Sequence, residues 1–503
     1  MKSRLEFRTI DYKGLKKEIK NLKNINDVIK FAKIHYSKLT REYRAKIFNG
    51  VIQDKQLNSV QFKYSLRLLI ELSYIFISYK SNFIRIFNNC SHNLREEKDI
   101  FISIGEKIYE LDCLNQANNN KFEENDLKRY LNYKYDYTSI NAYEYYKIFE
   151  YFDELSEDIY GLSMYRNFSK LFILLVSTKN LYIKNNILKK EFYNITNSEK
   201  LFLDGYKLKQ NSFIEQNIRH IFKGKLGIKF SDGLYVPRSY FILENILKGI
   251  IENEKSKDKK GNILEMYSKD IIGGFFKNIY HNLYDKKGNE QDLLIEFEDK
   301  ILFVECKAQN FKSIFVEGKD ATQIREKHFK EVIVKACEQC HRGKEYLINN
   351  KSAIYYNSNK KKGRKKILEV NRISNKKIFK IVVVLDEYLD LAELSNRYLE
   401  EKYKDTWVVN IFTLHRILWI SNKINGINTF FKYLEYRTQN NLDIESLHCD
   451  ELAQFGYWIS PNYNIYPQLG MNISIVLRNS FTGIFNEYDL YFNEKLKKEL
   501  KLI

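Results

Sequence analysis

The scarcity of proline constrains the fold of this 503-residue chain more than any other feature of its sequence. Its three prolines are Pro237, Pro461 and Pro467. Proline inside a helix removes a hydrogen bond and clashes with the preceding turn, so a proline-free stretch permits long uninterrupted helices. Apolar residues also recur at three- and four-residue intervals in segments such as 143–160, which is typical of amphipathic helices. We therefore predict a mostly helical N-terminal domain over residues 1–235.

A change of pattern near residue 235 ends this helical domain. Residues 224–237 (GKLGIKFSDGLYVP) combine glycines, a Ser-Asp-Gly turn and the first proline, which together mark a domain boundary. Beyond them, apolar runs of strand length alternate with helical patterns. This alternation predicts an α/β domain over residues 236–438, with a mixed sheet covered by helices on both faces. Residues 439–503 are aromatic and β-like, and we leave the role of this C-terminal extension unassigned.

The α/β domain has a definite predicted order of elements. Two short apolar runs around a polar turn are typical of a β-hairpin, and helical patterns lie before and after them. A lysine-rich stretch follows and predicts a basic loop. The expected elements are helices over 238–254 and 262–280, hairpin strands 292–297 and 301–304, a helix within 321–347, a strand over 378–385, a helix within 388–403 and a strand over 407–412.

Positive charge is concentrated in one part of the chain. The chain has 83 Lys and Arg against 64 Asp and Glu, a formal charge of +19, and residues 341–380 alone hold 13 basic and 2 acidic side chains. Such a concentration attracts polyanions, of which nucleic acid is the commonest in a cell. We therefore expect a nucleic-acid partner. A codon bias towards Lys, Asn, Ile and Tyr is the plainer alternative.

Composition also limits the class of protein. With 44% hydrophobic and 15% aromatic residues, the chain is globular rather than disordered. No apolar run approaches the ~20 residues that cross a bilayer, and the N-terminus lacks the apolar core of a signal peptide. Six cysteines over the whole chain are too sparse for a disulfide framework. We expect a soluble cytoplasmic protein with no membrane partner.

The hairpin carries the charged residues that point to chemistry. Glu305 and Lys307 are two residues apart, so strand alternation puts both side chains on one face. A two-residue loop at 299–300 would place Asp292 opposite Lys307, and all three charged groups would then share that face. Two carboxylates and an ammonium on an otherwise apolar hairpin are costly to bury without a function.

Such a cluster suits metal-assisted hydrolysis of a phosphodiester. Asp292 and Glu305 offer the hard oxygen ligands that Mg²⁺ prefers, alongside waters and substrate phosphate. The metal would polarise the phosphate and lower the pKa of a bound water, while Lys307 would orient that water and stabilise the developing charge. Taken alone, Glu-x-Lys is more simply explained as a surface ion pair.

The surrounding elements favour the chemical explanation. The arrangement Asp292-(x)12-Glu305-Cys306-Lys307 between two helices resembles the PD-(D/E)XK phosphodiesterase superfamily, the restriction-endonuclease-like nucleases. The resemblance covers about residues 255–435. It implies a restriction-endonuclease-like fold for this domain and an endonuclease that depends on Mg²⁺, for which Mn²⁺ substitutes.

The resemblance also implies further site residues. In that superfamily an acidic helix precedes the hairpin, and residues 261–265 (GNILE) look like this helix, so Glu265 is implied as a catalytic residue. The helix after the hairpin often carries a Gln near the site, which implies Gln339 in nucleic-acid binding. Gln291 departs from the pattern, because it stands where the superfamily has a proline.

A setting and several partners follow from the same resemblance. A nuclease fused to a helical recognition or regulatory domain resembles prokaryotic defence or restriction effectors. DNA is favoured over RNA as substrate, and a homo-oligomer is implied because such nucleases often cut duplexes as dimers. A partner protein that supplies regulation is a separate expectation, and any ATP-driven activity would also come from a partner, because the chain has no Walker-type loop. The alternatives are a catalytically silent nucleic-acid-binding protein that keeps the nuclease fold, and an interaction scaffold.

Three weaker signals remain as alternatives. One is the basic loop, whose candidate phosphate contacts are Lys360, Lys361, Lys362, Arg364, Lys365 and Lys366. A second Glu-x-Lys pair, Glu317 and Lys319, follows another apolar run, but the glycine between them weakens a strand. Cys337-x-x-Cys340-His341 matches a haem-attachment pattern and half of a zinc site. Without an export signal or a second ligand pair at metal spacing, we interpret it as coincidence.

Overall fold

The computed structural model divides the chain into two compact units, Met1–Asn253 with Lys498–Ile503, and Glu254–Lys497. The first unit extends beyond residue 235 because the helix that follows packs against other helices of this unit. The structure describes residues 10–57, 66–78, 93–118, 141–176, 183–184, 193–204, 224–237, 241–309, 327–360, 363–371, 373–386, 392, 395, 398–439, 451–462 and 482–502.

The first unit is mostly helical, as the proline-free sequence predicts. A small four-stranded sheet, in the order β1-β4-β3-β2, accompanies the helices. The helices are α1 (Tyr12–Asn21), α2 (Ile25–Tyr36), α3 (Arg41–Leu57), α4 (Leu66–Ser78), α5 (Leu94–Asn118), α6 (Ala142–Tyr151), α7 (Asp153–Tyr160), α8 (Phe168–Val176), α9 (Tyr193–Thr196) and α10 (Phe241–Ile251). The strands are β1 (Ile183–Lys184), β2 (Phe202–Asp204), β3 (Gly227–Lys229) and β4 (Gly233–Tyr235).

Aromatic side chains form the core between α2, α3, α4 and α5. The Tyr36 ring lies 5.1 Å from the ring of Phe48 and 5.3 Å from that of Phe76, and the Phe48 and Phe101 rings are 4.6 Å apart. All four side chains are buried. Rings at these separations add to the stability that their buried area provides.

The second unit is a mixed α/β domain, in agreement with the predicted fold class. Its seven-stranded sheet has the order β11-β10-β7-β6-β5-β8-β9, in which β7, β10 and β11 are parallel and the other pairs antiparallel. The strands are β5 (Asn278–Tyr284), β6 (Glu290–Phe297), β7 (Lys300–Lys307), β8 (Ser352–Tyr356), β9 (Lys366–Asn371), β10 (Lys377–Val384) and β11 (Thr406–Asn410). The helices are α11 (Lys260–Gly273), α12 (Lys335–Ile348), α13 (Ile411–Asn425), α14 (Asn428–Gln439), α15 (Glu451–Asn462) and α16 (Asn486–Glu499).

Helices cover both faces of this sheet. A Cβ atom on Gly343 of α12 would lie 2.9 Å from the Phe303 ring, so α12 packs closely on the face to which Phe303 belongs. Phe379 is paired in register with Leu302, and its ring lies 5.1 Å from Phe431 of α14. Because neighbouring residues of a strand point to opposite faces, α12 and α14 lie on opposite sides of the sheet.

Three predictions of local structure are wrong. The helix expected over 262–280 ends at Gly273, and its last residues belong to β5, which pairs with β6. The basic loop lies between two strands that we did not predict, β8 and β9. The β-like tail instead contains helices α15 and α16. In α15, Phe455 and Trp458 lie three residues apart, the spacing of a helix face, and both pack on the Tyr433 ring of α14.

One predicted helix lies mostly outside the described residues, and one predicted strand is shorter than expected. Most of the helix expected within 388–403 is outside them, and only a short 3₁₀ turn at Glu401–Tyr403 is described. The strand expected over 407–412 ends at Asn410, whose side chain caps α13 by accepting a hydrogen bond from the Phe412 N–H.

Among the described helices, none combines the length and apolar character needed to span a membrane.

Candidate active site

The hairpin of β6 and β7 has a different register from the predicted one. Phe297 pairs with Lys300, so the two-residue turn is Glu298–Asp299 and not residues 299–300. Glu298 has a φ of 53°, the left-handed conformation that tight hairpin turns use. The predicted register is therefore wrong by two residues.

A shift of two residues leaves the predicted face of each side chain unchanged, because alternation along a strand has a period of two. Leu293 pairs with Val304, so the next position along each strand brings Asp292 beside Glu305 and not Lys307. The Asp292 carboxylate also accepts a hydrogen bond of 2.8 Å at Oδ2 from the backbone N–H of Cys306. This bond fixes Asp292 to β7 next to the Glu305 side chain.

Glu305 is the most enclosed member of the cluster, with no solvent-exposed surface. Its Oε2 lies 3.4 Å from the Lys307 ammonium, whose side chain is 20% exposed. Burial raises the pKa of Glu305 well above its ordinary value, and the negative charge of Asp292 raises it further. Burial lowers the pKa of Lys307, but attraction to Glu305 and Asp292 outweighs this effect and leaves that pKa raised.

Glu265 reaches the same cluster from α11. It is partly buried, and burial together with the negative charges of Asp292 and Glu290 raises the pKa of its carboxyl to about 7. Lys307 opposes this rise. The structure therefore brings Glu265 into electrostatic range of Asp292 and Lys307.

Gln291 is a site residue that sequence reasoning missed. Its side chain is buried, and its Nε2 donates hydrogen bonds to Glu305 Oε1 at 2.8 Å and to the Val304 carbonyl at 3.1 Å. The amide thus orients the Glu305 carboxyl from the side opposite Lys307. A polar residue at the start of an apolar strand is the sequence signal that could have found it, whereas the motif marks Gln291 only as a departure from proline.

Gly343 on α12 makes room for Gln291. Gln291 Oε1 is buried without a hydrogen-bond partner in the described part of the chain. A Cβ atom on Gly343 would lie 2.7 Å from that oxygen and 2.9 Å from the Phe303 ring. Real Cβ atoms do not make contacts this short, so glycine is required here for close packing.

The structure also describes several of the other predicted nucleic-acid-binding residues. Gln339 is half-buried on α12 and has no hydrogen bond with any residue that the structure describes. Lys360, Lys365 and Lys366 are exposed in or beside the loop between β8 and β9, whereas the Arg364 side chain is half-buried against other residues. The candidates outside the described residues are Lys361, Lys362, Glu317 and Lys319.

The Cys337 and Cys340 thiols pack in the protein interior. Both lie on α12, and the Cys340 Sγ donates a hydrogen bond of 3.5 Å to the Ile381 carbonyl of β10. Burial raises the pKa of Cys337 to about 12 and the pKa of Cys340 well above its ordinary value. Both thiols therefore stay protonated near neutral pH.

The donor set of the cluster fits a hard divalent cation. Two adjacent carboxyl groups, Asp292 and Glu305, have one ammonium near them, and a cation or a proton must offset their repulsion. In the part of the chain that the structure describes, no group of three or more His, Cys, Asp or Glu is placed to hold a metal. Mg²⁺ commonly uses only one or two carboxylates, with water and substrate oxygens completing its coordination.

Comparison with known proteins adds no assignment to this geometry. No family model, no curated protein and no solved structure matches the chain. A functional conclusion therefore depends on the residues of the site and their surroundings.

The space beside Gly343 yields a first prediction. We expect Gly343→Ala to lower the free energy of unfolding by about 1–3 kcal/mol, because the new methyl group displaces Gln291 or Phe303. This result would oppose the intrinsic preference of a helix for Ala over Gly, about 1 kcal/mol. Urea unfolding of the full chain in EDTA measures the change.

Gly261→Ala is the matched control, since a Cβ there has nothing within 4 Å and the residue also lies in a helix of this unit. We expect it to be at least as stable as the parent. If Gly343→Ala behaves like this control, then Gln291 has room to move and does not hold Glu305 in place.

The raised pKa of Glu265 predicts how stability depends on pH. Its value of about 7 in the folded chain exceeds the ordinary 4.5, so folding takes up a proton between these values and stability falls as pH rises through them. Glu265→Gln should remove this fall. Because the carboxyl is only partly buried, we expect a gain of only about 1 kcal/mol at pH 8 and none near pH 4.

Unfolding midpoints across this pH range, without divalent cations, measure the effect of Glu265→Gln. Glu401→Gln serves as control, because that side chain is 86% exposed on the surface of the same unit. A constant difference between Glu265→Gln and the parent at all pH values would contradict the predicted titration.

Proposed function

We propose that this protein is a metal-dependent nuclease that hydrolyses phosphodiester bonds of nucleic acid, with DNA favoured over RNA. One observation carries the proposal. Asp292, Glu305 and Lys307 meet on one hairpin, and Glu265 approaches them from the preceding helix. Such a set of groups suits metal-assisted hydrolysis of a phosphodiester, because each group has a task in that reaction.

The burial of Glu305 supports a functional rather than a structural origin for the cluster. An exposed Glu-x-Lys pair needs no explanation, but a fully buried carboxyl beside a second carboxyl is unfavourable for folding. Gln291, Lys307 and the N–H that binds Asp292 offset part of this cost. Sites with such conflicts between stability and charge are commonly functional.

Each residue has a defined part in the proposed reaction. Asp292 and Glu305 would hold Mg²⁺ or Mn²⁺, which when bound supplies a Lewis acid for the phosphate and a more acidic water. Lys307, whose raised pKa keeps it cationic, would orient the attacking water and stabilise negative charge on the phosphate. Glu265, with a pKa of about 7, is suited to accept or donate a proton near neutral pH.

The finer assignment of fold also belongs to this proposal. Helix α11, the hairpin of β6 and β7, and helix α12 follow one another in the order that restriction-endonuclease-like domains use. The mostly helical first unit would then serve recognition, regulation or assembly in a prokaryotic defence or restriction system. That setting is an analogy with the superfamily.

The test is cleavage of plasmid DNA, single-stranded DNA and RNA by the purified chain with Mg²⁺ or EDTA. We expect metal-dependent cleavage, and Lys307→Ala should reduce its rate by at least about a hundredfold, because the ammonium acts on the transition state. Asp292→Ala should abolish the metal-supported activity and weaken Mn²⁺ binding.

Lys423→Ala, on the exposed surface of α13, controls for loss of a lysine. Cleavage that is equally fast in Lys307→Ala, Asp292→Ala and the parent would show that the site is elsewhere. Binding of nucleic acid without metal-dependent cleavage of any substrate would favour the alternative, a catalytically silent binding protein that keeps the fold.

A further inference from the structure

Two turns of the second unit are joined through Arg364. One turn, residues 285–289, connects β5 to β6, and the other, of which the structure describes residues 357–360 and 363–365, lies between β8 and β9. The Arg364 guanidinium donates from Nη1 to the Lys286 carbonyl at 3.2 Å and from Nη2 to the Asp285 carbonyl. Arg364 itself belongs to the second turn, so its side chain bridges the two.

Arg364 is held in this position by an aromatic ring. Its guanidinium carbon lies 3.8 Å from the centre of the Tyr356 ring, the last residue of β8. Gly288 approaches the other turn closely as well, because a Cβ there would be 3.6 Å from the Cβ of Asn359. Stacking and two hydrogen bonds use both features of a guanidinium, its planarity and its fork of donors.

The joined turns lie at the end of the sheet where the carboxyl cluster is found. Tyr356 pairs with Tyr284 at the end of β5, and Tyr284 pairs with Glu290 at the start of β6. Asp292 follows two residues later on β6. Strand β7 runs antiparallel to β6 and ends at Lys307. The turns, Asp292 and Lys307 therefore lie at the same end of the strands.

This pair of turns presents mostly positive charge to solvent. The side chains of Lys286, Lys287, Lys360 and Lys365 are exposed. None of these four forms a salt bridge within the described ranges. The nearby carboxylates have other partners, since Asp285 accepts hydrogen bonds from Asn289 and Glu290 accepts one from Tyr284.

We propose that Arg364 clamps the two turns into one platform that binds the sugar-phosphate backbone of nucleic acid beside the carboxyl cluster. Lys286 and Lys287 then join the phosphate contacts, and Arg364 is a positioning residue rather than a phosphate contact. The choice of nucleic acid over another polyanion rests on the proposed function. The clamp rests only on the contacts of Arg364.

The experiment measures binding of fluorescently labelled duplex DNA to the full chain in EDTA, so that no cleavage is needed. The double variant Lys286→Ala/Lys287→Ala should bind roughly tenfold more weakly at moderate salt, equally for different sequences. The slope of log affinity against log salt concentration should become shallower by about two, because two phosphate contacts are lost. The control, Lys402→Ala/Lys404→Ala, removes one exposed and one half-buried lysine that precede β11, each paired with a glutamate, and should bind like the parent.

Arg364 variants test the clamp itself. Arg364→Lys keeps the charge but not the planar fork, so it should lose as much affinity as Arg364→Ala. Tyr356→Phe keeps the ring and should bind like the parent, whereas Tyr356→Leu should behave like Arg364→Ala. Near-parent affinity of Arg364→Lys together with a loss in Arg364→Ala would overturn the clamp, because it would show a direct phosphate contact.

The outcomes separate the platform from the proposed nuclease. If the parent binds DNA but the double lysine variant binds equally well with an unchanged salt slope, then the platform is overturned while the nuclease is untouched. If polyglutamate competes as strongly as unlabelled DNA, the assignment to nucleic acid is overturned. Both proposals are supported if Lys307→Ala loses cleavage but keeps binding, while the double lysine variant loses binding.

Discussion

A carboxyl group that leaves water must gain hydrogen bonds or a cation in return, and Glu305 meets this requirement near the end of β7. Its side chain has no exposed surface, and its oxygens meet the Gln291 amide on one side and the Lys307 ammonium on the other. Several features that look independent follow from this one requirement. Gly343 leaves space for Gln291, and the Cys306 N–H holds Asp292 beside Glu305.

The surroundings of that carboxyl are unbalanced in charge. Glu265, Asp292 and Glu305 approach one ammonium, that of Lys307, and burial, with the negative charge of Asp292 as a second cause, raises the pKa values of Glu265 and Glu305. A phosphate group would be repelled by such a cluster in the absence of a bound cation. On the proposed function, lysines on the two joined turns would attract the nucleic acid, and a divalent cation would let its phosphate enter the cluster.

The two-residue periodicity of a strand explains why the charged residues still share one face although the predicted hairpin register is wrong. The register was wrong by two residues, yet a shift of two keeps each side chain on its face, so Asp292, Glu305 and Lys307 still come together. The error in the helix predicted over 262–280 was not corrected by any such periodicity. Its last residues form β5 because they pair with β6. The sequence of the segment itself does not show this pairing, so its apolar pattern could not predict the strand.

The amino-acid sequence alone was enough to predict the mixed α/β class, the helical first part, the hairpin and the shared face of the hairpin's charged residues. All of these depend on repeats of two to four residues along the chain. Tertiary structure decided what surrounds them: Gln291 against Gly343, Glu265 beside Asp292, and Arg364 bound to carbonyls 78 and 79 positions away. These contacts depend on strand order and on how helices pack across the sheet, and residues so far apart in sequence leave no periodic signal of their meeting.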